Sequence, residues 1–208
     1  MKKVLIVLLS VLLLVSFVSC EKDKSEEIIE TYEDYWRTNR IIDDTIDVLS
    51  SDDATKNKTT LDKNDFNEYR VSWALRTLGY EEEIKSASDC KVISGEGSTS
   101  FTSPDENSTL QTYKDIKVSA KTVDSEGNTV DTYTLVFNGT EKVTREGSGD
   151  SATDTHDVNF TITVNDDTHT YTMKYVNVKD QKNNFVSASV NGKTIDVRLL
   201  NSMASIDK

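Results

Sequence analysis

After the first 20 positions, the side chains that catalysis uses most often are those of two histidines, His156 and His169. His156 lies in the run Asp154–Asp157 and His169 ends the run Asp166–His169, so each could provide half of a metal site or an acid–base pair. A catalytic zinc usually takes three protein ligands, and no second histidine stands at ligand spacing from either one. The sequence therefore predicts exposed loop histidines, no metal, no cofactor and no enzymatic activity.

Cys90 and the acidic run Asp124–Asn128 each allow two interpretations. Cys90 could be a reactive thiol or form an intermolecular bridge, but a small buried residue of a strand is favoured. The run Asp124–Asn128 carries carboxylates as a calcium loop does, yet its glycine is fourth rather than sixth. Hairpin turns select the same residue types, so we predict a turn there.

The charge of the chain excludes one class of function. Its 208 residues include 24 Lys and Arg against 36 Asp and Glu, which gives a formal net charge of -12. Nucleic-acid recognition depends on basic side chains that neutralise phosphates, and the sequence has no basic stripe. We therefore expect no nucleic-acid partner, and a chain of this length can bury one core or two small ones.

The first 20 residues carry the strongest signal in the sequence. Lys2 and Lys3 precede an uncharged stretch over residues 4–19, which at 1.5 Å per residue is shorter than the roughly 30 Å hydrocarbon core of a bilayer. It is typical of an export signal. The signal ends in Phe17-Val18-Ser19-Cys20, and this ending resembles the lipobox of bacterial lipoproteins. The resemblance implies cleavage before Cys20 and acylation of Cys20; a plain signal peptide cut nearby, or an uncleaved anchor, is the alternative.

A lipid on Cys20 would place the protein in the bacterial cell envelope. The chain after the signal keeps 22 basic and 36 acidic residues, so the lipid and not a polybasic patch would attach it to the membrane. Glu21 is not the aspartate that retains enteric lipoproteins at the inner membrane, which favours the outer membrane and leaves the periplasmic or surface face open. The expected partners are the membrane, through the lipid, and an unidentified protein or small molecule.

Hydrophobic periodicity divides the chain into a signal (1–19), a tether (20–25), a helical segment (26–80) and a β domain (85–201). The first helix is indicated by apolar residues at spacings near three and four: Ile28, Tyr32, Tyr35, Trp36, Ile42, Ile46 and Leu49. The second has Asp62 as a cap, Gly79 after its end and an apolar stripe of Phe66, Tyr69 and Trp73 flanked by Val71, Leu75 and Leu78. We expect the two helices to cover the sheet; a partner-binding groove or a coiled-coil spacer is the alternative.

After residue 85 the period changes to two, and three turns each predict a hairpin with one apolar face. The turn 125–128 pairs Val123 with Val130, Ala120 with Tyr133, Val118 with Leu135 and Ile116 with Phe137. The turn at Asp166-Asp167 pairs Val164 with His169, Ile162 with Tyr171, Phe160 with Met173, Val158 with Tyr175 and His156 with Asn177. The turn Asn191-Gly192 pairs Ala188 with Ile195 and Val186 with Val197. The histidines would then lie about 27 Å apart, at 3.4 Å per residue.

Two shorter strands are expected near 91–94 and 99–102, and Thr140–Glu146 is favoured as the end of one long strand, although pairing back through Asn138-Gly139 is the alternative. The fold class is therefore α+β, with an N-terminal two-helix segment followed by an antiparallel β-meander of about eight strands, as a sandwich or a small barrel.

Three functions fit this fold. The first is a non-catalytic binding or interaction module. The second is a carrier of small apolar ligands with a calycin-like barrel, in which the ligand would lie among Tyr133, Phe137, Phe160, Tyr171 and Tyr175. The third is a structural or assembly lipoprotein.

Overall fold

The computed structural model describes residues 40–41, 45, 47–49, 55–85, 87–178, 184–198 and 201. The lipobox with Cys20, the tether and most of the first predicted helix lie outside these residues.

Seven antiparallel strands form one sheet in which neighbours along the chain are neighbours in space. The strands are β1 (Asp89–Asp105), β2 (Ser108–Val123), β3 (Thr129–Glu146), β4 (Thr153–Val164), β5 (Asp167–Val178), β6 (Asn184–Val190) and β7 (Lys193–Thr194). The predicted antiparallel meander is confirmed. Among the strands described, β1 and β7 do not pair with each other, so the sheet is open instead of forming the expected sandwich or small barrel.

The lengths of β1 and β3 explain why there are fewer strands than expected. The two short strands predicted at 91–94 and 99–102 are one strand, β1, whose register shifts at bulges between Val92 and Ser94 and between Glu96 and Ser98. Residues 140–146 continue β3 as one long strand, as favoured from the sequence. A bulge bends a strand without ending it, so a break in alternation is not a strand boundary.

The β2–β3 hairpin confirms most of the predicted register. The observed pairs include Ala120 with Tyr133, Val118 with Leu135 and Ile116 with Phe137. Nearer the turn the prediction is wrong, because Val123 pairs with Thr129 and not with Val130. The register shifts by one between Thr122 and Val123, and this leaves Val130 45% exposed.

The β4–β5 hairpin differs from the predicted register by two residues. Val164 pairs with Asp167, and further pairs are Ile162 with His169, Phe160 with Tyr171, Val158 with Met173 and His156 with Tyr175. The turn consists of Asn165 and Asp166 alone, and Asn165 adopts a φ of 53°. Asparagine tolerates this conformation, which permits a tighter turn than the one predicted. A shift of two keeps every side chain on its predicted face.

The β6–β7 hairpin has the predicted turn but not its full length. Asn191 and Gly192 have φ values of 50° and 77°, as the favoured two-residue turn requires, and Ile195 donates a backbone hydrogen bond to Ala188 (2.9 Å). The predicted pairing of Val186 with Val197 is wrong, since β7 ends at Thr194. A bulge opposite Lys174 and Tyr175 leaves Val186 50% exposed.

Two caps lie at the start of the helical turns that lead into the sheet. The Asp62 carboxylate caps a 3-10 turn, Lys63–Asp65, and the Asn67 side chain caps the helix α1 (Glu68–Leu75). A π-type turn, Arg76–Tyr80, then leads into α2 (Glu81–Lys85). Gly79 has a φ of 108°, so the predicted left-handed glycine is present, although helical structure resumes after it.

The buried face of α1 differs from the predicted stripe. Val71, Ala74 and Leu75 are at most 1% exposed, whereas Tyr69 is 65% exposed. Phe66 is buried before the helix begins, and its ring lies against Gly95 of β1, where an added Cβ would clash with ring carbon Cε2. The helix thus places its small and branched residues on the sheet and directs larger polar and aromatic ones along its side.

The core lies on one face of the sheet. Its centre is an aromatic cluster in which Tyr113 lies 6.0 Å from Phe137 and 5.5 Å from Phe160, between ring centroids. Ile41, Val48 and Leu49, which lie before Lys63–Asp65 in the chain, belong to the same buried cluster. On the opposite face, hydroxyl groups form cross-strand hydrogen bonds such as Thr163 to Thr168 (2.8 Å).

Candidate functional site

A cleft of about 380 Å³ lies between α1 and the start of β1. The helix contributes Tyr69 and Trp73 to its wall, the turn that follows it contributes Arg76, and β1 contributes Asp89 and Cys90. The remaining lining residues are Glu68, Ser72, Ile84, Ala87 and Ser88. The cleft is therefore part aromatic and part polar, and it is the candidate ligand site of the described chain.

Helical spacing explains which side chains reach the cleft. Residues three and four apart share a helix face, which places Tyr69, Ser72, Trp73 and Arg76 together once the opposite face is buried. The helix is attached to β1 at its first turn, because the Glu68 carboxylate accepts a hydrogen bond from the Val92 backbone N–H (3.1 Å). The wall of the cleft is thus fixed by one buried helix face and one side-chain hydrogen bond.

Trp73 is the centre of the aromatic wall. Its ring meets that of Tyr69 edge to face, with centroids 6.1 Å apart and an angle of 68°. The guanidinium carbons of Arg40 and Arg76 each lie 5.6 Å from its centroid, within the range of a cation–π interaction. The Nε of Arg76 is buried and has no hydrogen-bond partner among the described residues.

The polar rim is an ion-pair network around Lys91. The Nζ of Lys91 lies 2.6 Å from the Asp89 carboxylate and 3.4 Å from that of Glu68. The hydrogen bond from Lys91 lowers the pKa of Asp89, and the bond to Asp89 raises the pKa of Lys91. Asp89 and Lys91 therefore both carry their charges at neutral pH.

Cys90 is a buried strand residue, as favoured from the sequence. It is 5% exposed, and burial together with the nearby carboxylates of Glu68 and Asp89 raises the pKa of its thiol to about 11. A thiol with so high a pKa is almost wholly protonated at neutral pH, and the thiolate is the reactive form. The reactive-thiol interpretation therefore lacks support.

His156 is not the exposed loop residue that the sequence predicted. Its side chain is 19% exposed, its Nδ1 lies 2.8 Å from Glu141 Oε1, and its ring stacks on Tyr175 at 4.4 Å and 7°. The change of register explains this, because it places Tyr175 and not Asn177 opposite His156.

The prediction of an exposed loop residue is also wrong for His169, which is partly buried in β5, where it pairs with Ile162 and its Nδ1 contacts the Asn191 amide (3.2 Å). Six residues of β4 separate the rungs of the two histidines, about 20 Å at 3.4 Å per residue instead of the 27 Å expected. The two rings still cannot share a ligand. Within the described ranges, no three His, Cys, Asp or Glu side chains converge in a way that could hold a metal ion.

The run Asp124–Asn128 is a hairpin turn, as predicted. Asp124 Oδ1 accepts hydrogen bonds from the backbone N–H groups of Glu126 and Asn128, both at 2.9 Å. Its Oδ2 accepts one from the Asn128 side chain at 3.1 Å, and this bond is the first cause of the lowered pKa of Asp124. The carboxylate thus organises its own turn.

The residues proposed to surround an apolar ligand are core residues. Tyr133, Phe137, Phe160 and Tyr171 are at most 4% exposed, and Tyr175 is partly buried. Phe137 and Phe160 pack on each other with centroids 6.4 Å apart. These aromatic rings therefore pack against one another on the apolar face of the sheet.

Sequence reasoning missed the cleft, although the sequence contains a signal for it. Val71, Ala74, Leu75 and Leu78 follow helical spacing as well as Phe66, Tyr69 and Trp73 do. The first set is buried or partly buried, and the second set contributes two aromatic residues to the cleft. Two apolar stripes on one short helix indicate that one of them faces something other than the core.

Comparison with protein families, curated proteins and solved structures finds no match to this chain. A search of the described helices finds none that is both long and apolar enough to cross a bilayer.

Proposed function

We propose that the chain is a lipid-anchored protein of a bacterial envelope whose body is a non-catalytic binding module, with the cleft between α1 and β1 as its binding site. The cleft is the observation that carries the proposal. It combines concavity, an exposed aromatic side chain and a small number of fixed polar groups, which are the usual properties of a ligand site.

The groups lining the cleft are arranged to hold a ligand rather than to transfer protons. Asp89 is paired with Lys91, the Arg76 guanidinium lies over Trp73, and the Cys90 thiol keeps its proton. General acid–base catalysis works best with a pKa near the operating pH, and the shifts at Asp89 and Cys90 lead away from neutrality. Recognition is the activity that these groups support best.

We propose that residues 26–80 form two helices that cover the sheet, the first of them preceding α1. Arg40, Ile41 and Thr45 are helical, and the burial of Ile41 and Val48 in the core supports a helix packed on this face. The acidic body would then be joined to the membrane only through the tether 20–25 and the lipid on Cys20.

The anchor is tested with radiolabelled palmitate in cells that express the full chain. We expect the label to be incorporated into the native protein and not into Cys20→Ala, and we expect this variant to leave the membrane fraction. A matched Cys90→Ala variant should be labelled normally, because Cys90 is buried in the body. Labelling of Cys20→Ala, or its unchanged membrane fractionation, would contradict the proposed anchor.

Binding is tested separately, by the intrinsic fluorescence and thermal stability of the full chain in detergent against metabolites, glycans and peptides. A ligand that raises Tm and alters the fluorescence at the cleft supports the binding module. Turnover of such a compound, abolished by a substitution in the cleft, would show an enzyme instead. Binding of another envelope protein away from the cleft would favour the structural or assembly alternative.

A further inference from the structure

Tyr69 is the most exposed of the large apolar side chains that the structure describes, and it lies in the cleft. It is 65% exposed although its ring contacts Trp73, so most of the ring surface is available to a ligand. Ligand sites are typically concave, with aromatic walls and a few fixed polar groups, and Tyr69 is an exposed aromatic side chain in such a setting. The position of Tyr69 on the cleft wall therefore points to a ligand that presents an apolar face to it.

The charges at the rim favour an uncharged ligand. Glu68 and Asp89 carry two negative charges, and Arg76 and Lys91 carry two positive ones, so these groups balance in a chain of net charge -12. An anion entering the cleft would meet both carboxylates, and their repulsion opposes its binding.

A cationic ligand is disfavoured for a different reason. Its usual aromatic partner would be Trp73, the residue type with the strongest cation–π attraction. Two guanidinium groups, those of Arg40 and Arg76, already lie 5.6 Å from that ring. A third cation would meet their repulsion at the same ring.

With anions and cations disfavoured, the ligand that fits the cleft is an uncharged ring with one apolar face and several hydroxyl groups. The C–H face of such a ring packs on an aromatic side chain, and its hydroxyls match the carboxylate of Asp89, the hydroxyl of Ser72 and the guanidinium of Arg76. Arg76 can turn toward a hydroxyl without losing a hydrogen bond at Nε, because that atom has no partner in the described chain. A volume of about 380 Å³ accommodates one or two such rings.

We propose that the cleft between α1 and β1 binds one or two rings of an uncharged saccharide, with one ring stacked on Tyr69. This inference rests on the proposed binding function and names its ligand class. The site is built from the helix and the sheet edge together, so the saccharide is recognised only when α1 is seated on β1.

The test uses the full chain in detergent with an array of neutral oligosaccharides built from glucose, galactose, mannose, xylose and N-acetylglucosamine, followed by calorimetry. We expect Tyr69→Ala to weaken the best binder by about tenfold or more, because stacking on the ring is lost. Tyr69→Phe keeps the ring and should bind within about twofold of the native chain. Phe101→Ala removes an aromatic residue of β1 that is 44% exposed and does not line the cleft, and it should change nothing.

Three outcomes would overturn the proposal. If no neutral saccharide binds more tightly than about 10 mM while an acidic glycan or a peptide binds with the same dependence on Tyr69, the ligand class is wrong and the binding module stands. If neutral saccharides bind equally to Tyr69→Ala, the site is wrong. If no compound of any class binds at the cleft, the saccharide and the proposed binding function fail together.

Discussion

The backbone of β1 is covered by a helix and a chain segment, whereas the backbone of β6 at Phe185, which the short strand β7 does not reach, is covered by the side chain of Asn201. Along β1, Glu68 binds the Val92 N–H, Leu61 N–H donates to the Gly97 carbonyl (2.8 Å), and Thr99 N–H donates to the Lys58 carbonyl (2.8 Å). On β6, the Asn201 carboxamide accepts from the Phe185 N–H and donates to its carbonyl, both at 2.8 Å.

Both strands need their exposed backbone groups covered, but only the cover of β1 also forms a cleft. An open strand edge is a template for pairing with other chains, and proteins cover it. On β6, one carboxamide satisfies both the N–H and the carbonyl of Phe185. The helix α1 must stand beside β1 to cover it, and the space between them is the cleft. The binding site and the protection of the β1 edge therefore depend on the same contacts.

The strongest way to test this dependence is to loosen α1. Leu75 is fully buried beneath the helix, and Leu75→Ala should lower the free energy of unfolding by about 2–5 kcal/mol, from lost burial and the cavity left behind. Urea denaturation followed by circular dichroism measures this change. Val186→Ala on β6, where the residue is 50% exposed, is the matched control and should cost less than about 0.5 kcal/mol. Equal costs at the two edges would contradict the comparison.

The second test removes the cover of β6. Asn201→Ala leaves the N–H and carbonyl of the buried Phe185 without these partners, and we expect a loss of about 1–2 kcal/mol. Amide hydrogen exchange should show faster exchange at Phe185 and unchanged exchange at Thr99 on β1. Asn184→Ala, at the exposed neighbour of Phe185, is the control. If ligand binding at the cleft also weakens in Asn201→Ala, the two edges are not independent.

The faces of the strands could be predicted from the sequence, but the register of the β4–β5 hairpin could not. Alternation decided that Phe160, Ile162 and Tyr171 face the core, because a slip of one residue would expose them. A slip of two residues keeps the same faces, so alternation could not detect it. The left-handed conformation of Asn165 decided the register, and with it the contact between His156 and Tyr175. This conformation depends on the tightness of the turn, which the pattern of apolar residues does not encode.

The cleft could not be predicted because α1 has two apolar stripes, and either of them could have been the buried one. Aromatic residues carry more hydrophobic surface, and this favoured Tyr69 and Trp73 as the buried side. In the structure Val71 and Leu75 are buried instead, and the Phe66 ring lies against Gly95 of β1. Such a choice depends on the shape of the partner surface, and helical periodicity contains no information about it.

The smallest expected effect is a pH dependence confined to the β1 edge. Lys58, which pairs with Thr99, is held by Asp65, whose carboxylate oxygens lie 2.6 and 2.7 Å from the Lys58 Nζ. Burial alone would raise the pKa of Asp65, but hydrogen bonds from Lys58 and from the Asp62 N–H outweigh it and lower the pKa below its ordinary value.

Because the folded state lowers this pKa, ionised Asp65 stabilises the β1 edge above the pKa of the unfolded chain, about 3.9. That contribution is lost as the pH falls through the lower pKa of the folded state. Hydrogen exchange at Thr99, corrected for the intrinsic rate, should therefore show declining protection from pH 5 toward pH 3, about the range in which a carboxyl group titrates. Phe185 should not follow it, since the Asn201 amide does not titrate. In Asp65→Asn the decline at Thr99 should disappear, and its persistence would assign the pH dependence to another carboxylate.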